Sequence, residues 1–370
     1  MKRGRSIAGG LVLGGLLICF ADSPITHALK IVHPGDPKSR DIPVTLTQVN
    51  DAEGEPFEFS TWVDSVICRD ELCEVVDVQL TWNALGQYQR YRVEKGKDLT
   101  KLDHVPFSRE DHAKFDRILK DLDSPLREVT KEGLTGPKAS GVDGVAGATA
   151  LTLKANVIIG AGYTCYDLWH WANGGVAAIV SEKSGMSCSV DRLKAYLLRE
   201  DEVALRFGLT YLHRRKVFDA DTMRAVIACS EQAPDGVMDP LLEYLHAASA
   251  EPTAYYDALV GVFSKAGSEK RLLILNALEK DPGTPPEGFF DRLSAALPGI
   301  ETYYELHRFL NLVEARDAVT PGLIEQVVPL LAHEKFFVAR RAYAFLSEQT
   351  LSDEARKIVE AFYKAHADRL

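Results

Sequence analysis

The feature that most limits how this chain can fold is a repeat in its C-terminal half. From Ser189 onward, similar amphipathic runs open at Val203, Val237, Lys270, Tyr304 and Val338, spaced 34, 33, 34 and 34 residues apart. A second series of starts falls between them, near Ala220, Ala254, Gly288, Gly322 and Ala355. Two interleaved helices per period predict a stack of helical hairpins, because one hairpin cannot bury its apolar stripe alone. An irregular domain of evenly sized helices is the competing expectation, since an ordinary helix plus a loop gives a similar spacing.

Upstream the pattern is different. From Leu29 to Lys138 the chain reads as strands and short helices. Val76, Val78, Leu80 and Trp82 alternate with polar residues, Asn83 to Gly86 makes a turn, and Tyr88, Tyr91 and Val93 follow, which predicts a hairpin with one buried face. Ser108 is placed to cap a helix over Arg109 to Leu122, with Phe115, Ile118 and Leu119 on one side. A Gly-rich stretch, Lys131 to Gly144, then leads into an apolar helix expected over Ala150 to Asn173, stopped by Gly174-Gly175. The fold class that results is an α+β N-terminal module over 29–188 followed by an α-helical solenoid-like domain over 189–370. Val203-Ala204-Leu205-Arg206 and Val338-Ala339-Arg340-Arg341-Ala342 resemble the inner helices of HEAT-type repeats.

With 370 residues, 46% of them hydrophobic, the chain has material for two cores and is too apolar for disorder. Its net charge of −10 argues against nucleic acid as a partner, because a phosphate backbone is held by excess cation. The basic cluster Lys2, Arg3 and Arg5 instead precedes an apolar run from Ile7 to Ala21, the pattern of a signal peptide. Residues 1–28 are assigned to it, with cleavage after Ala28 and Ala21 as the second choice. Bulky Ile18 makes Cys19 a poor lipoprotein site. The expected location is periplasmic or otherwise extracytoplasmic, with membrane association only through an uncleaved N-terminus.

Of six cysteines, Cys68, Cys73, Cys165, Cys188 and Cys229 outlast such processing, and an odd count leaves a thiol unpaired within the chain. Cys68 and Cys73 flank a turn at Arg69-Asp70-Glu71 and are expected to form a structural bridge, ahead of a redox or metal role. His104, beside Asp103, could act as a base or, with His112, as a ligand, but a loop histidine is the plainer expectation. No metal site is expected. Phosphate-loop, dinucleotide, nucleophile-elbow and zinc-protease signatures are absent, and no catalytic residue is assigned.

The run Asp143-Gly144-Val145-Ala146-Gly147-Ala148-Thr149 does carry a chemical expectation. Gly147 flanked by Ala146 and Ala148 clears side chains from around a hydroxyl, as an approach by another enzyme requires. A threonine at a helix start also meets first-turn N–H groups that favour a phosphate, although it can equally be a simple N-cap. The run resembles the flavinylation motif of the FMN-binding domain family, found in peripheral flavin subunits of sodium-pumping NADH:quinone reductase and its Rnf relatives. The resemblance implies FMN joined by a phosphoester to Thr149, with Gly147 and Ala148 beside it and Asp143 in the recognition element for a flavin transferase. Ala146 departs from the family's Ser or Thr, and Thr152 supplies another nearby hydroxyl.

Downstream, Tyr163, Tyr166, Trp169 and His170 lie at helical spacing, so one face of that helix could border the flavin, while core packing is the commoner fate of such a stripe. Cys165 and His170 point apart and make a poor nucleophile pair. The implied function is extracytoplasmic electron transfer by a covalent flavoprotein. A flavin transferase would mature it, and the helical repeats would dock an unidentified redox protein. The alternative is a helical-repeat scaffold without a cofactor.

Overall fold

The computed structural model describes residues 23–36, 41–67, 75–134, 151–249 and 252–370. The chain divides into two compact units, Met1–Cys188 and Ser189–Leu370.

In the first unit, β1 (Ile25–Ile31), β2 (Ile42–Asn50), β3 (Pro56–Asp64), β4 (Asp77–Asn83) and β5 (Tyr88–Val93) form an antiparallel meander in sequential order. Alternation sets its faces: Val44, Leu46, Phe59, Val63, Val78, Leu80 and Trp82 are buried on one side, while Thr45, Glu58 and Arg90 belong to the other. The β4–β5 hairpin has the buried face its sequence predicts.

Three helices cover the apolar face. The first, α1 (Arg109–Lys120), starts in a capping box in which Ser108 Oγ accepts from Asp111 N–H and the Asp111 carboxylate accepts from Ser108 N–H. It buries Phe115, Ile118 and Leu119. α2 (Gly162–Asn173) follows, and Trp82 Nε1 donates to its Ala172 carbonyl at 2.6 Å, tying the helix to β4. α3 (Gly175–Ser187) starts directly after Gly174.

One expectation is corrected here. The helix expected over Ala150 to Asn173 is broken into a short 3-10 segment, Leu151–Asn156, and α2. Between them Gly160 turns at φ +84, a left-handed conformation that L side chains resist, and its carbonyl accepts from Leu102 N–H at 2.9 Å. Its apolar composition cannot reveal that break, because Val157 and Ile158 are buried as helix residues would be.

Ala28 lies inside β1, opposite Thr45 of β2. Cleavage after Ala28 would remove half of that strand, and cleavage after Ala21 would leave it whole.

The second unit opens with α4 (Val190–Tyr196) and continues with α5 (Glu202–Arg214), α6 (Ala220–Cys229), α7 (Met238–Ala248), α8 (Pro252–Lys265), α9 (Ser268–Lys280), α10 (Phe289–Ser294), α11 (Tyr303–Ala315), α12 (Pro321–Val327), α13 (Phe336–Leu346) and α14 (Asp353–His366). The odd helices from α5 to α13 stack in order, each on the next, and α6, α8, α10 and α12 stack beside them. This is the solenoid-like arrangement that the two interleaved series of helix starts require.

The repeat is also written in polar contacts. Arg271 pairs with Glu305, His333 with the Ile300 carbonyl, and Lys335 with the Glu301 carbonyl, across 34, 33 and 34 residues respectively. The α5 and α11 ends match as well. Val217 N–H returns to Leu212 O and Ala318 N–H to Val313 O, with Lys216 (φ 55) and Asp317 (φ 50) in the left-handed position that such a C-cap needs.

Candidate functional site

Thr149, Asp143, Gly147 and Ala148 lie outside the described residues, as do Cys68 and Cys73. What the structure shows is the ground on either side of the motif segment. Leu134 before it and Leu153 after it are both buried in the core shared by the sheet and the helices.

The first unit also holds a buried polar centre built around Asp167 of α2, which has no exposure. Its Oδ2 accepts from Lys131 Nζ at 2.5 Å and from Ile67 N–H at 2.7 Å, while Lys131 also donates to the Ile67 carbonyl at 2.7 Å. His33 Nε2 contacts the Asp167 carbonyl at 3.0 Å, and Gly35 N–H donates to His33 Nδ1 at 2.9 Å. That pair of contacts requires a neutral ring with its proton on Nε2. Burial pulls the His33 pKa down to about 4, consistent with the neutral form. Gly35 is needed for the close approach, since a Cβ there would lie 2.3 Å from Asp167 Oδ1. Asp167 thus gathers three stretches distant in sequence, Ile67 and Lys131 at its carboxylate and His33 at its main-chain carbonyl. The lysine and aspartate stood out in neither spacing nor motif, because each looks like an ordinary surface charge in its local sequence.

Beside this centre, a cavity of about 190 Å³ is lined by Val66, Lys101, Asp103, His104, Gly160 and Tyr163. Asp103 and His104 both have positive φ, at 60 and 57. Lys101 is already paired with Asp111 at 2.7 Å. His112 is engaged elsewhere, bonded by Tyr91 Oη at 2.6 Å and facing Asp98 at 2.9 Å, so the two histidines do not share a site. No cluster of metal ligands occurs among the described residues.

The aromatic stripe is core. Tyr166, Trp169 and Trp171 are 2%, 3% and 3% exposed, Trp169 donates to the Asp121 carbonyl, and His170 contacts the Leu126 carbonyl. Tyr166 and Trp169 therefore take the core-packing alternative and offer no open face to a flavin ring. Tyr163 alone of that stripe is well exposed, at 42%, with Lys131 Nζ 5.5 Å from its ring centre. Cys165 is a buried free thiol whose pKa burial pushes up to about 12, which removes it as a nucleophile.

An isoalloxazine needs a slot larger than 190 Å³, given that ligand pockets span roughly 300–1,000 Å³. A second depression of this unit, about 310 Å³, is lined by Gln87, Tyr88, Gln89, Lys120, Leu122 and Asn173. Comparison with family models, curated proteins and solved structures returns no match.

The helical unit holds a larger depression, about 670 Å³, lined by α7 from Asp239 to Ala247, by α9 from Leu273 to Lys280 and by His213 at the end of α5. Its floor is Leu242, Ala247, Leu273 and Ala277, and its polar rim includes Asp239, Glu243, His246, Asn276 and Lys280.

Proposed function

We propose that the protein works outside the cytoplasm in electron transfer, with FMN carried covalently on Thr149 and the helical unit docking a redox partner. The observation that carries the reading is the run from Asp143 to Thr149 behind a cationic and apolar leader. A phosphoester anchor tethers a flavin without an enclosing slot, so the small cavity beside Tyr163 does not oppose the reading. When attached, the flavin would supply the capacity to accept and release electrons. The stacked helices support the docking role, since such arrays present extended surfaces with no chemistry of their own.

The test is expression with the leader and a flavin transferase, beside Thr149→Ala. A fluorescent band that survives denaturation, with the mass increment of an FMN phosphoester and absent from the variant, is expected. Lack of adduct in a host that flavinylates a control protein would overturn the flavin assignment. The second reading, a scaffold without a cofactor, is favoured by the burial of Tyr166 and Trp169. It predicts partner binding that Thr149→Ala leaves intact and no flavin on the wild type.

A further inference from the structure

The groove at α5, α7 and α9 owes its opening to a missing side chain. On α11 and α13, an arginine reaches back over the preceding odd helix and fills the seam. Arg308 of α11 meets Asn276 and Glu279 of α9, and Arg341 of α13 meets His307, Asn311 and Glu314 of α11. The acceptors recur at one spacing: His307, Asn311 and Glu314 on α11, and Asp239, Glu243 and His246 on α7. Among the described residues no arginine answers the α7 set. The buried pairs Ile274–Leu275 and Phe309–Leu310 fix the register of α9 against α11, and it puts Leu273 where α11 has Arg308. Arg271, the arginine that α9 does carry, faces Glu305 of α11 instead.

Asp239 and Glu243 are consequently exposed, one helical turn apart, with no ion-pair partner among the described residues. Asp239 lies in the first turn of α7 and Glu243 near its middle, so the attraction for a cation comes from the two carboxylates themselves. Beneath lies an apolar floor that suits the stem of a long side chain.

We propose that this groove takes an arginine-bearing segment of a partner protein, whose guanidinium occupies the place that Arg308 and Arg341 fill in the following seams. A planar fork matches two acceptors one turn apart better than an ammonium does. The inference rests on the docking role given above to the helical unit and is independent of the flavin.

The test uses the full mature chain and a fluorescein-labelled alanine-rich helical peptide with arginines three and four residues apart, beside the same peptide with citrulline in their place. Anisotropy should show the arginine peptide binding at least tenfold tighter. Asp239→Asn with Glu243→Gln should weaken it about tenfold, while the charge-matched Asp353→Asn with Glu354→Gln on α14 should leave it unchanged. Leu273→Arg should close the groove from within and abolish binding with no loss of helix content. Equal binding of both peptides, equal loss in the two charge-matched variants, or no binding at all would overturn the proposal. The flavin assay on Thr149→Ala is untouched by any of these results, so the two readings fail separately.

Discussion

Replacing Lys131 by methionine keeps an apolar stem in the core and deletes the cation that faces Asp167. The side chains of this pair are 7% and 0% exposed, so water cannot stand in for the missing ammonium. Asp167 would retain Ile67 N–H at 2.7 Å but lose the donor at 2.5 Å, and the Ile67 carbonyl would lose its lysine contact as well. Stranding one member of a buried pair costs about 3–5 kcal/mol. That is a large share of the roughly 5–15 kcal/mol that stabilises a domain. Urea denaturation followed by tryptophan emission isolates the effect, because Trp62, Trp82, Trp169 and Trp171 are the protein's four tryptophans and all lie in the first unit. Lys131→Met should lower its unfolding free energy by about 4 kcal/mol, and adding Asp167→Leu should restore most of the loss, since an apolar replacement of both partners is often neutral or better. A single variant within about 1 kcal/mol of wild type would refute the uncompensated-charge argument. A double variant no better than the single would place the cost in packing rather than in charge.

Two further outcomes follow from other sites. The folded-state pKa of His33 lies near 4, below the 6.5 of the unfolded chain, so the unfolded state binds the proton first, and stability present above pH 6.5 is lost as pH falls toward 4. The loss should be about 3 kcal/mol; tryptophan-detected urea melts across that window should show it and His33→Gln should flatten it, whereas an unchanged slope would exclude His33 as the cause. At the end of α5, Lys216→Gly relieves a φ of 55 and should raise the thermal midpoint of the helical signal, worth about 0.5–1 kcal/mol. A lower midpoint would contradict the left-handed cap.

Much of the architecture was legible in local sequence. Period-two alternation over Val76 to Trp82, the Ser108 cap and the interleaved helix starts from Val203 to Ala355 each depend on residues a few positions apart, and local propensity and patterning settle such features. The break at Gly160 was not, because it depends on Leu102 donating to its carbonyl from another segment. The Asp167 centre was still less visible: its contacts to Ile67, Lys131 and His33 span 100, 36 and 134 residues. Burial turned Tyr166 and Trp169 from candidate ring partners into core, and only the packing of α2 against α1 and the sheet decides which face of an apolar helix is covered. The groove shows both levels at once. Sequence alone determined the period that stacks the helices, whereas tertiary structure decided that Arg308 and Arg341 close their seams while Leu273 leaves one open, because a side chain's reach across a seam depends on the register between helices.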